Sequence, residues 1–514
     1  MKKYIRTFIL LISLLMVSNV YAADTLYTIK IDENNHLDVY DYSISYQTPL
    51  SSYPDILSYE NNVLTLKKGY MFNNIYSRQD ITITTNNELV SLDYINGGYE
   101  WAGRLTFRNA RLNSLTYYPE KSIEIYDSSL NIKAIDAEDD IQGATNNIYI
   151  ENSKILVENG IYTEGEIASI TVKNSEIVGT GSNSYLEVLF APIKSTGLWI
   201  DNSTIDLYRI GSTIRNDATE WGKTKITNST VNLKSYMHTS TDIEIDNSTV
   251  NAEYLRCTYS RERDRIDIKD SEVNVKTFTE TSGTTNIENS KVMLGTKLTT
   301  SELLLKNSYL SVINDNEEYV NSWGRILTAK TLDIDNSYFY IESKTDTELA
   351  KLLPGYSIRL NDGLKIYDKD MTELTTKDYT EDNNTYGTFY YSNNTKSKSA
   401  LISSKATVTF RIKNGTWADG TTNDIVITKT VWDKLTDEDI PKGMKGNTNG
   451  SWEIEPNTTD YIKGDIVYNY VFKEVKGIDT NPSTGVITTT IIIVSILAII
   501  GIFYMNLYKK SYFN

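Results

Sequence analysis

Between residues 105 and 341 one ten-residue frame recurs eleven times, and self-similarity of this kind constrains a fold more than any other feature of a chain. It is clearest in Leu198-Trp199-Ile200-Asp201-Asn202-Ser203-Thr204-Ile205-Asp206-Leu207 and again in Ile243 to Ala252 around Asn247. With the Asn position as n, apolar residues stand at n−4, n−2, n+3 and n+5, and Ser follows at n+1. The frame is centred on Asn109, Asp127, Asn152, Asn174, Asn202, Asn228, Asn247, Asp270, Asn289, Asn307 and Asn336. Ten of the eleven are followed by Ser, the exception being Ala110. Of the 44 apolar slots 40 hold an apolar residue, the others being Ser114, Gly179, Thr224 and Thr285. At 40% apolar composition, chance would fill about 18 of them.

The copies lie 18 to 29 residues apart while the core frame keeps its length, which is how stacked strands joined by variable loops behave. Positions n−4 and n−2 alternate on one strand face, and n+3 and n+5 on another. From n−2 to n+3 is an odd step, so one straight strand would send the two pairs to opposite faces. The chain must turn at Asn-Ser, and Asn and Asp tolerate the left-handed backbone such a corner needs. Stacking then sets each corner above the next, about 4.8 Å away, where amide side chains can hydrogen-bond in a ladder.

This pattern resembles the right-handed parallel β-helix, the solenoid of pectate lyases and of many bacterial surface proteins. The resemblance covers about residues 60–345 and implies an all-β solenoid of about 11–12 coils, roughly 50 Å long at the strand spacing. Ile81-Thr82-Ile83-Thr84 reads as an earlier coil, and residues 24–60 as a cap over the open edge. The domain reading is 23–345 for the β-helix with its N-terminal cap and 346–404 for a C-terminal cap and loop-rich linker. Residues 405–476 form a small module. There Asn414-Gly415 and Asp419-Gly420 punctuate alternating runs as hairpins do. Trp417 and Trp452 are core anchors, and Leu435 to Asp439 is a short helix ended at Ile440-Pro441. This module resembles the short β-grasp-like repeats of Gram-positive surface proteins, near internalin B-repeats, which implies a spacer or weak binder.

The two ends set the address. Residues 1–22 carry a basic start, an apolar stretch from Phe8 to Val17 and a small residue at Ala22, the order of a signal peptide. Residues 477–514 carry Asn481-Pro482-Ser483-Thr484-Gly485, then 22 uncharged residues, 486–507, sufficient for a transmembrane helix, then Lys509 and Lys510. This order resembles the L-P-x-T-G-like sorting signal of Gram-positive cell-wall proteins, with Asn in place of Leu. The resemblance implies sortase as a partner, cleavage between Thr484 and Gly485, and attachment of Thr484 to peptidoglycan. The membrane is reached through 486–507 before processing.

Composition narrows the chemistry. A net charge of −16 argues against nucleic acid. One cysteine, Cys257, allows no disulfide framework, and the two histidines, His36 and His238, lie far apart in sequence. No cofactor and no metal is expected, and no catalytic residue is assigned. The chain has no Gly-His-Gly of the polygalacturonase-like group. The candidate acid patch is Asp136, Glu138, Asp139 and Asp140, with Glu164 and Glu166 one coil on; Arg261, Arg263 and Arg265 are the basic candidates. Each group reads first as a solvated loop, and Cys257 and Met237-His238 as loop or core positions. The expected function is that of a wall- or membrane-anchored surface protein, a binding or structural adhesin whose partner is an extracellular glycan or protein. The alternatives are a surface-anchored β-helix polysaccharide lyase or hydrolase, and a non-catalytic carbohydrate-binding rod.

Overall fold

A computed structural model describes residues 26–473, apart from 42–48, 97–103, 119–121, 138–144, 166, 191–196, 215–222, 241, 258–263, 316–324, 346 and 362–363. Its regular elements are all β-strands, most of them in one long parallel, solenoid-like sheet system of the kind a β-helix has. The chain divides into two units. The first holds the solenoid to residue 407 together with 428–434 and 459–466; the second holds 408–427, 435–458 and 467 onward.

Three stacks of short parallel strands build the solenoid. Strands leading into the corner pair in register, with Ile226, Ile245, Ile268, Ile287, Leu305 and Ile334 in one inward column. Strands leaving it put Val231, Val250, Val273, Val292, Leu310 and Phe339 in a second. A third stack, whose pattern is not part of the ten-residue frame, contributes Ile210, Met237, Leu255 and Thr279 in one column and then Leu298 and Leu327. These side chains are all buried. Each fully buried aliphatic side chain stabilises by about 1.5–3 kcal/mol, so the columns, summed over the stack, dominate stability.

All eleven corner residues adopt positive φ, between 41° and 51°. The bend this makes turns both flanking strands toward one interior. The four slots without an apolar residue are accommodated locally. At Ser114 the strand slips by one residue so that Leu115, buried, stands opposite Ile132. Thr224 and Thr285 point inward and are buried, and beside Gly179 the space is taken by Ser184 and Leu207.

The parallel stack outruns the frame at both ends: Leu64 pairs with Ile83, and Leu332 with Ile358. The upstream end is closed by the antiparallel hairpin Leu26–Ile31 and Leu37–Asp41. Downstream, Ser399–Ser403 runs antiparallel to Tyr338–Ser343, pairing an otherwise open edge. Residues 346–404 thus carry more strand than the loop-rich linker their composition suggests. The Asn-, Thr- and Tyr-rich stretch holds the hairpin Thr375–Glu381 and Asn384–Tyr390, turned at Asp382 and Asn383, both at positive φ.

In the second unit the sheet runs, in spatial order, Ile425–Thr430, Lys405–Lys413, Ile466–Phe472 and Gly450–Trp452. Trp417 is buried and its indole N–H donates to the Asn423 carbonyl at 2.7 Å. Trp452 is only half-buried, set edge-on to Phe410 and Tyr470. Leu435 to Asp439 is a turn and not the helix expected. The Asp439 carboxylate accepts from the Thr436 N–H at 2.7 Å and from its hydroxyl at 2.8 Å, so the donors are met locally without a helical ladder. Among the described residues no helix is long and apolar enough to cross a membrane. The residues expected to form a signal peptide, a sorting signal and a membrane span, 1–22 and 477–514, lie outside the described residues.

Candidate functional site

The corner edge of the solenoid is the most regular surface of the molecule. Each corner residue donates its backbone N–H to the carbonyl just before the next corner, as Asn228 does to Asp246 and Asn247 to Lys269. The side chains above this ladder are exposed at eight corners and half-buried at Asn289, Asn307 and Asn336, and they bond in pairs, not in one unbroken column. Asn152 donates to Asp127 at 3.3 Å, Asn202 to Asn174 at 2.7 Å, Asn247 to Asn228 at 2.8 Å and Asn336 to Asn307 at 2.8 Å. The Asn228 amide also reaches Asp201 at 3.1 Å, but the Thr227 hydroxyl, at 2.6 Å, does most to hold that carboxyl below the usual carboxylate range.

The continuous ladder belongs to the serines at n+1. Each Ser N–H donates to the hydroxyl of the next coil's serine, from Ala110 to Ser128 and on through Ser308 to Ser337, at 3.0–3.1 Å throughout. Each hydroxyl in turn donates to the carbonyl two residues back in its own coil, as Ser248 does to Asp246 at 2.7 Å. These serines are buried. The repeating Ser is visible in the frame, and a small residue at every copy, Ser in ten and Ala110 in the other, is the signal for burial.

Along the same edge the first coils form an open groove of about 600 Å³, lined by Asn87, Asn109, Asp127, Asn152, Asn174 and Asn202 and crossed by the Lys154–Glu176 ion pair at 2.8 Å. It offers a line of amide donors and acceptors, interrupted by the Asp127 carboxylate.

The outer face of the third stack carries the other concentration of chemistry. Tyr185, Arg209, Tyr236, Tyr254, Phe278 and Lys297 share one register column. Rings Tyr236 and Tyr254 stack at 5.0 Å, Tyr254 and Phe278 at 4.9 Å, and the Arg209 guanidinium lies 4.9 Å from the Tyr185 ring centre and 5.6 Å from that of Tyr236. Neighbouring coils occupy these faces, so they are not free platforms for sugar rings. Two residues along runs Asp136, Tyr162, Glu187, Gly211, His238, Arg256 and Glu280. Arg209 pairs with Glu187 at 3.3 Å and Arg256 with Glu280 at 3.5 Å. His238, half-buried between Gly211 and Arg256, has its imidazole pKa pushed down, first by burial and then by the Arg256 charge. His238 is thus a strand residue facing outward, while Met237 beside it is core.

Of the acidic and basic candidates, Asp136 lies in the strand Ser129–Ala137 opposite Tyr162, whose hydroxyl donates to buried Glu164 at 2.5 Å. Asp136 and Glu164 therefore lie on adjacent coils, offset by two register positions. Arg265 lies in a strand and pairs with Asp267 at 2.5 Å. Glu138, Asp139, Asp140, Glu166, Arg261 and Arg263 lie outside the described residues. Cys257 is buried core of the third stack, not loop. His36 is exposed, with Nδ1 3.7 Å from Asp38. Among the described residues no three His, Cys, Asp or Glu side chains gather as a metal site would require.

Comparison with protein-family models, with curated proteins and with solved structures finds no match.

Proposed function

We propose that this chain is a bacterial surface-displayed binding and structural protein, adhesin-like, whose solenoid is a right-handed parallel β-helix. One observation carries the reading. The corner edge repeats a polar Asn or Asp side chain coil after coil, amide at nine of eleven corners, and opens there into a groove that crosses several coils. Solenoids use such long faces to bind extended partners, because contacts add with each repeat. The backbone beneath is fully engaged in the serine and carbonyl ladders, so corner side chains can be contacted without disturbing the fold. The terminal signals of the sequence supply the address: secretion through residues 1–22 and attachment through Thr484 by a sortase to peptidoglycan.

The test is surface labelling of intact cells followed by muralytic digestion and mass analysis of the released chain. The expected product is accessible from outside and ends at Thr484. An intact chain that still contains Leu507 and is found only in membranes would remove the sortase step. A chain found only inside the cell would remove the whole reading.

A second reading, a surface-held polysaccharide lyase or hydrolase, is favoured by one feature: two carboxylates, Asp136 and Glu164, on adjacent coils and offset by two register positions. Two positioned carboxylates are enough to hydrolyse a glycosidic bond. Cleavage of a polysaccharide by the full chain, lost in Glu164→Gln, would establish it.

A further inference from the structure

Farther along the corner edge a second groove, about 320 Å³, is closed on one side by the segments 428–434 and 459–466 of the same unit. Its volume is at the lower end of small-ligand sites, roughly 300–1,000 Å³.

Trp432 is the unusual residue in it. Its φ is 71°, a left-handed conformation that is a true outlier for a bulky side chain. It is only 7% exposed, and its indole Nε1 is buried without a hydrogen-bond acceptor. Buried donors are normally satisfied, and strained backbone persists where a side chain must be held in place. Here the strained residue that carries the unmet donor is also one that lines the groove.

Around it stand groups of both hydrogen-bonding signs and an apolar surface. Tyr461 packs against Trp432 with ring centres 5.5 Å apart. The Lys463 ammonium lies 5.0 Å from the Trp432 ring centre and makes no ion pair with a described residue. The Lys291 ammonium is already engaged: it donates to the Tyr461 hydroxyl at 3.2 Å and pairs with Glu272 at 3.3 Å. The corner residues Asn247, Asp270 and Asn289 also line it, and Asp270 brings a carboxylate where nearly every other corner has an amide.

The charges select among ligands. A simple anion would be drawn by Lys463 but opposed by Asp270, and an apolar ligand would strand both. Vicinal hydroxyls donate and accept at once, and the C–H side of a sugar ring is apolar. We infer that this groove binds a neutral saccharide unit, with its hydroxyls meeting the Trp432 N–H, the Lys463 ammonium and the Asp270 carboxylate, and its apolar side against the Trp432–Tyr461 pair. The inference rests on the binding reading above and adds to it a place and a ligand class.

The test is calorimetric titration of the full chain with maltotriose, cellotriose and chitotriose, and with a uronic-acid trisaccharide as the charged comparison. At least one neutral sugar binds, and more tightly than the acidic one. Trp432→Phe keeps a ring and removes the donor; Lys463→Ala removes an ammonium; each weakens binding roughly tenfold, the loss of one good hydrogen bond. Asp270→Asn installs the residue that most other corners already carry, so the fold is kept while the charged acceptor is lost, with a loss of similar size. Three results overturn the inference: no neutral sugar binds, the acidic sugar binds best, or binding is unchanged in all three variants. None of these touches the surface-display reading, which stands or falls on the cell-labelling result.

Discussion

The Ser229 N–H donates to the Ser248 hydroxyl at 3.0 Å, and that hydroxyl donates to the Asp246 carbonyl at 2.7 Å, so one side-chain oxygen joins two coils inside the solenoid. Ser248→Ala removes both bonds and leaves the Ser229 N–H buried without an acceptor. The expected loss is about 1–3 kcal/mol, the penalty of an unsatisfied buried donor, measured by denaturant unfolding. A change within about 0.5 kcal/mol, the level of a surface substitution, would mean the ladder is not structural.

Its neighbour Asn247 behaves differently. The side chain is exposed, so its amide bond to Asn228 contributes little, but the backbone stands at φ 45°. Asn247→Ala should cost about 1–2 kcal/mol, the steric penalty of an L-residue in the left-handed region. Asn247→Gly, which carries no such penalty, should recover most of it. Equal losses in the two variants would place the effect in the amide and not in the backbone.

At Gly295 a side chain has no room. An ideal Cβ there would fall 1.8 Å from the Lys276 carbonyl oxygen of the preceding coil. Backbone cannot yield as a flexible side chain does, so Gly295→Ala should destabilise by at least the roughly 1–3 kcal/mol typical of overpacking. A thermal melt unchanged from the parent would show that the coils can separate locally at this corner.

His238 predicts a pH dependence. Burial and Arg256 hold the folded imidazole below its ordinary value, with Arg209, Glu187 and Glu280 the other charges on the face. The unfolded chain therefore takes up a proton near pH 6.5 that the folded chain resists, and folding stability drops as pH falls through about that value. Above it the contribution is complete. His238→Gln should flatten the stability profile between about pH 8 and pH 5. An identical profile in the variant would assign the slope to other groups.

Cys257 should be inert. It is buried in the third stack, and burial, followed by the Asp264 and Asp242 charges, pushes its thiol far up, away from the reactive thiolate. Alkylation by iodoacetamide should be negligible in the native protein and complete in denaturant. Rapid native labelling would show that the third stack opens.

Much of the solenoid could be read from residue order because it is a local code repeated. Apolar pairs on either side of an Asn–Ser step specify two inward strands and one left-handed corner, and the physics of side-chain alternation and of Asn backbone preference needs no long-range information. The third stack was not legible in this way: its strands, such as Tyr236–Thr239 and Tyr254–Cys257, follow the corner at variable distance and carry no fixed punctuation. The cap strands of 346–404 were hidden for a related reason, since Asn, Thr and Tyr read as loop until a partner strand defines which of them face inward.

Tertiary structure alone decided how polar groups are used. Sequence placed Asn and Ser side by side, but only stacking sends the serine hydroxyl inside to join coils and leaves the amide outside in pairs. It also spends the faces of Tyr236, Tyr254 and Phe278 on one another. Nothing in the sequence around Trp432 marks its backbone as strained or its indole N–H as unmet; its backbone N–H donates to the Ile462 carbonyl, thirty residues on, and the groove it lines is completed by corners nearly two hundred residues away. Secondary structure here is encoded within ten residues. The sites depend on which coils lie next to each other, and that is a property of loop length and packing that no local pattern contains.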